Sequence, residues 1–190
     1  MPPKTRITGD MIVQAAVEVA RQNGVGYVNA RTVAAQLHCS TQPVMSHFAT
    51  IDSLKRAAYA QADRMHTEYL MRIPPGQDPI LGIGLNYIRF AVEEPQLFRF
   101  LFQSGYASES NLLEMIDSPE LSPILAAMQK GTGMDPEKTK AVFLTVAMFT
   151  HGYASILVNN AMVFDEALAA VHLERAFIGA VFAVTHKEAT

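Results

Sequence analysis

The side chains of this chain that could bind a metal or move a proton are thinly spread. Six histidines and one cysteine, Cys39, never meet the eighteen carboxylates at a ligand spacing: His151 stands alone in an apolar run, and His172 and His186 are far apart. A zinc site needs three or four such ligands converging on one point. There is no Gly-rich phosphate loop and no nucleophile beside a base. The sequence therefore assigns no catalytic residue, no metal ligand and no cofactor, and an enzyme is not expected. The chemistry it does offer is recognition. Residues 41–48, TQPVMSHF, place Thr41, Gln42, Met45 and Ser46 on one helical face, and short polar or adaptable side chains suit base edges in a DNA major groove.

The elements that must hold that face are legible around it. Asn29 can cap a first short helix through a free backbone N–H, with Val33, Ala34 and Leu37 on its apolar side. His38, Cys39 and Ser40 make the turn. Ser40 is the expected cap of the second helix, where Pro43 falls in the first turn and costs nothing, and Val44 and Phe48 bury it. A preceding helix starts at Thr8, with Ile7 and Ile12 placed for a hydrophobic staple and Asp10 in the first turn. Its stripe is Ile12, Ala15, Ala16 and Val19, and Gly24 and Gly26 end it. A fourth helix capped by Thr50 keeps a helical period through Leu54, Ala57, Ala58, Ala62, Met65 and Tyr69 to about Met71. The Pro-Pro-Gly that follows is the expected domain boundary, dividing the chain into 1–72 and 73–190.

The order Thr8, Ala15-Ala16, Gly24, Asn29-Ala30-Arg31, Val33-Ala34, Leu37, Ser40, His47-Phe48 and Leu54 resembles the N-terminal domain of TetR-type repressors over residues 7–60. The resemblance implies that Thr41, Gln42, Pro43 and Met45 face bases, and that Arg31, Ser40, Ser46 and His47 lie nearer phosphates. Family members commonly carry Tyr where Met45 stands and Lys where Ile51 stands, both backbone contacts. Binding is then expected to lean on Lys55, Arg31 and an N-terminal arm with Lys4 and Arg6. On those two differences a helical interaction module that kept the fold and lost DNA binding stays open as the rival.

Charge is divided in the same way. The net charge is −3, but residues 1–72 carry eight basic side chains against five acidic ones, a balance of +3 that leaves −6 downstream. The attraction for phosphate is therefore at the N-terminal end. A 49% hydrophobic, 17% charged composition is globular. The longest uninterrupted apolar run, 176–184, is well short of the ~18 residues of a membrane span. With one cysteine and no secretory leader pattern, a soluble cytoplasmic protein with no membrane partner is expected.

No strand alternation occurs downstream, so the expected class is all-α, with about nine helices: a helix-turn-helix domain followed by a helical bundle for ligand binding and dimerisation. Further helices are read at 79–94, 95–103, 111–130 with a break near Pro119 and Pro123, 136–162 and 165–186. The last two are long, joined by a short turn and apolar on more than one face, so they pack antiparallel and leave a face for a partner. Ala176, Gly179, Ala180 and Ala183 form a small-residue ridge, and with Gly152 and Ile156 they are the expected surface of a two-fold homodimer. Met and aromatic density at Tyr87, Phe98, Phe102, Met115, Met128 and Phe143, with His151, fits an adaptable cavity for a small, largely apolar effector. The segment FTHGYASIL resembles the WHG subgroup of TetR-type regulatory domains, although the chain has no tryptophan. Together these features imply a ligand-responsive repressor that binds double-stranded operator DNA as a homodimer.

Overall fold

The computed structural model describes residues 7–107, 116–117 and 119–186; Lys4, Arg6 and Met115 lie outside the described residues. Nine α-helices and no strand are found among them: α1 (Gly9–Asn23), α2 (Ala30–Gln36), α3 (Thr41–His47), α4 (Ile51–Leu70), α5 (Pro79–Glu93), α6 (Pro95–Gln103), α7 (Ser122–Thr132), α8 (Pro136–Asn159) and α9 (Glu166–Thr185). Short 3-10 turns cover Val25–Tyr27 and Pro119–Leu121. The break expected near the two prolines is there, because Pro123 fits only the first turn of α7.

The chain forms two compact units, Met1–Met65 with Glu94–Ser108, and His66–Glu93 with Glu109–Thr190. This differs from a single break at the Pro-Pro-Gly. The chain leaves the first unit inside α4, returns to it for α6, and leaves again.

In the first unit the expected stripe of α1 is buried, and Val33, Val44, Leu54, Ala58 and Ala62 complete the core with Leu97, Phe98, Phe100 and Leu101 of α6. The reason α6 belongs here is polar as well as apolar. Arg21 of α1 bridges Glu18 and Glu94, each at 3.0 Å, and the Tyr59 hydroxyl donates to the Leu101 carbonyl at 3.2 Å. Gly24 ends α1 at φ 88°, ψ 158°, a region only glycine occupies readily. A Cβ there would also stand 3.1 Å from Gln96 Oε1.

In the second unit α5 packs against α7, α8 and α9, and α8 against α9. Gly84 permits the approach of α5 to α9, since a Cβ would meet Leu173 at 3.1 Å. Asn86 is buried and donates to the carbonyls of Leu70 and Arg72 at 3.1 Å, closing the orphaned end of α4. Its own carbonyl accepts from Arg89, which reaches Glu166 at the start of α9 at 2.7 Å.

Helices α8 and α9 are each long and apolar enough to cross a membrane, by length and composition, with mean hydropathies of 1.7 and 1.6. The uninterrupted run in the sequence understates this, because the threonines and glycines between the apolar residues do not lower hydropathy enough. Here the two helices instead cover α5 and each other, and they keep Met148, Phe149, Ile156, Leu168, Val171, Ile178 and Phe182 exposed.

Candidate functional site

The exposed face of α3 is positioned by three caps of unequal quality. The Asn29 side chain accepts from Arg31 N–H (3.0 Å) and Thr32 N–H (3.1 Å), and the Thr32 hydroxyl accepts from Asn29 N–H, a full capping box at the start of α2. Thr50 and Ser53 repeat the arrangement before α4, at 3.0 and 3.3 Å. Ser40 is the N-cap residue of α3 but its side chain makes no capping hydrogen bond, contrary to expectation. The turn before it is shaped by His38, whose φ of 51° is left-handed.

On α3 only Val44 is fully buried, while Thr41, Gln42, Met45, Ser46 and His47 are exposed and Pro43 is half-buried. The Pro43 carbonyl accepts from the Ser46 hydroxyl and from His47 Nδ1, both at 2.9 Å. A carbonyl can only accept, so His47 carries its proton on Nδ1 and Nε2 is the ring nitrogen left for a partner. Arg31 is exposed and Lys55 half-buried, and neither is in an ion pair among the described residues. Arg56, by contrast, is held by Asp52 at 2.9 Å and lies over the Tyr106 ring.

The residues expected to share one cavity do not gather. Phe98 is fully buried in the first unit, and Phe102, also in that unit, is 37% exposed. Met128 and Phe143 pack with Val142 and Ala180 in an apolar cluster of the second unit. Among the described residues Phe98 and Phe102 meet in the first unit, with ring centroids 5.1 Å apart, and in the second unit Tyr87 meets His151. The Tyr87 hydroxyl is 2.8 Å from His151 Nδ1, and His151 Nε2 is 3.3 Å from the Ser155 hydroxyl. The His66 ring stands edge-on to Tyr87 and Phe90, with centroids 5.3 and 4.8 Å away. Burial pushes His66 down to about 4, lowers His151 and raises Tyr87 above the usual phenol range, so all three rings are held neutral.

His66 and Ser155 were not singled out from sequence, though a signal existed for both. The four-residue rhythm Leu54, Ala58, Ala62 runs on to His66, and Ser155 is one helical turn from His151. Of the expected dimer residues, Ile156, Gly179 and Ala183 are exposed and Gly152 and Ala176 half-buried. Ala180 is 6% exposed and packs with Met128 and Val142, because the ridge spans two faces of α9.

The family profile described as Tetracyclin repressor-like, C-terminal domain matches residues 80–177, just over half of the chain. No curated protein matches the sequence significantly. Among solved structures, a tetR-family transcriptional regulator from Streptomyces coelicolor is similar at a TM-score of 0.70 and 17% identity, covering 95% of this chain and 83% of that one. The multidrug binding protein EbrR, complexed with imidazole, gives 0.62 and 22% over 90% and 95% of the two chains. A TetR variant from Acinetobacter baumannii AYE in complex with minocycline gives 0.59 and 13% over 92% and 96%. With the profile spanning α5 to most of α9 and the all-α fold behind it, the chain belongs to the tetracyclin repressor-like family of transcription regulators.

Proposed function

We propose that this chain is a repressor that holds operator DNA as a homodimer and releases it when a small, largely apolar effector binds the second unit. The observation that carries this reading is α3, a helix with one buried side chain and an exposed row of Thr41, Gln42, Met45 and Ser46. Arg31, Ser40, His47 and Lys55 supply the surrounding phosphate contacts, and Pro43 the close approach at the helix start. Two such helices must sit about 34–36 Å apart to enter successive major grooves. The exposed apolar faces of α8 and α9, with Gly152, Ile156, Gly179 and Ala183, give the dimer surface that sets this distance. An effector acts by its differential affinity for subunit arrangements with another spacing. Small-molecule complexes of EbrR and TetR support an effector site in this fold. Work on operator DNA places the protein in the cytoplasm.

Selection from random duplex pools, followed by shift assays across a salt series, tests the reading. One enriched sequence with a steep salt slope is expected. Uniform weak binding to all duplexes would favour the interaction module that has lost DNA binding, which Met45 and Ile51 support.

A further inference from the structure

His47 ends α3 with its ring fixed in one sense. Nδ1 lies 2.9 Å from the Pro43 carbonyl one helical turn back, and the Ser46 hydroxyl gives its own proton to the same oxygen at 2.9 Å. That carbonyl can only accept, so in the neutral ring the proton is on Nδ1. One ring edge rests on α1, where a Cβ on Gly9 would stand 3.6 Å from His47 Cδ2, and the side chain is otherwise exposed. Nε2 makes no hydrogen bond to the described residues and carries a lone pair. A phosphate oxygen also offers lone pairs and no proton. It repels a neutral Nε2 and attracts the imidazolium, in which both ring nitrogens donate.

The elements around α3 bring few charges to this ring. Of the helices packed on it, α1 carries Asp10 beside Gly9, and Glu18 and Arg21, which pair with each other, while α2 carries Arg31. His38 stands in the preceding turn, and α4, next in the chain, opens with Asp52, which holds Arg56, and with Lys55. His47 itself is in no ion pair among the described residues. Histidine is the side chain whose charge changes within pH 5–8. We propose that each subunit takes up one proton at His47 when it docks on DNA, so that operator affinity, and with it repression, rises as the pH falls. The inference rests on the reading above that α3 enters the groove with His47 at a phosphate, and it adds the proton as a second input beside the effector.

Fluorescence anisotropy of the operator selected above, taken at constant salt from pH 6 to pH 8, reads this linkage. The full chain should lose about tenfold in affinity per half-site over that range, since a counter-charge beside an imidazole favours its protonation by about that factor or more. Salt titrations should be steeper at pH 6 than at pH 8 by about 0.9 per subunit, the slope of one more neutralised phosphate. His47→Gln, whose amide cannot change charge, should remove both differences, with circular dichroism to show that it folds. Nitrogen-15 NMR of the free protein at pH 8, with the His47 signal assigned by its loss in His47→Gln, should show the proton on Nδ1. If the variant does not fold, the pH and salt series of the unaltered chain decide. A proton on Nε2, an affinity independent of pH, equal salt slopes, or a pH dependence that persists in folded His47→Gln would each overturn the proposal. A chain that binds one operator equally at pH 6 and pH 8 loses the proton linkage and keeps the repressor; one that binds no duplex at either pH loses both.

Discussion

His66 makes stability depend on pH in one direction. In the fold its pKa is about 4, against 6.5 for the ordinary side chain. Below 6.5 the unfolded chain takes up a proton that the folded chain refuses, so stability is full above that pH and falls as pH drops toward 4. At 1.36 kcal/mol per unit the loss approaches about 3 kcal/mol. Urea melts at pH 7 and pH 4.5 should show the drop, and His66→Gln should remove most of it. On α3 two substitutions separate base reading from phosphate contact. Gln42→Ala should cost about 1–3 kcal/mol at one operator base pair and relax specificity there. Arg31→Ala should weaken all duplexes alike and flatten the salt slope by about one unit. Equal effects of both on operator and random DNA would place the reading helix elsewhere.

At the scale of elements, caps were the most legible part of the sequence and also the source of one error. Asn29 and Thr50 each closed a reciprocal box, because Thr32 and Ser53 stand three residues on. Ser40 has Pro43 at that position, which has neither an N–H to donate nor a side chain to return the bond. Asn29→Ala should therefore cost about 1 kcal/mol in a thermal melt and Ser40→Ala clearly less. Gly24→Ala should cost about 1–3 kcal/mol, because the left-handed turn is strained for a residue with a Cβ and Gln96 must also move. Helix positions, ends and the all-α class follow from period and punctuation, which act locally. Met and Phe density could not single out a cavity, since it marks any apolar interior. Phe98 and Met128 are core for that reason.

For the whole molecule, Gly179 and Ala180 are neighbours with opposite expected phenotypes. A Cβ at Gly179 meets nothing within 4 Å, whereas Ala180 is packed into the Val142 and Met128 cluster. Gly179→Leu should keep the helices, as circular dichroism would show, yet lose the dimer by light scattering. Operator affinity should then fall by about 10²–10⁴, the gain from linking two half-site contacts. Ala180→Leu should instead lower the melting temperature through overpacking of about 1–3 kcal/mol. A folded, dimeric Gly179→Leu protein with normal operator binding would move the dimer surface off α9.

The return of the chain for α6 also bears on how such regulators can be recombined. A DNA-reading half cut at the Pro-Pro-Gly leaves behind Leu97, Phe98, Phe100 and Leu101, along with the carboxylate that holds Arg21. Neither half is therefore a contiguous cassette. Grafting this reader onto another effector module requires a two-point splice that carries residues 94–107 with it, whether the splice is made in the laboratory or by gene fusion. The segments of the two units alternate along the sequence, so no single cut separates one unit from the other.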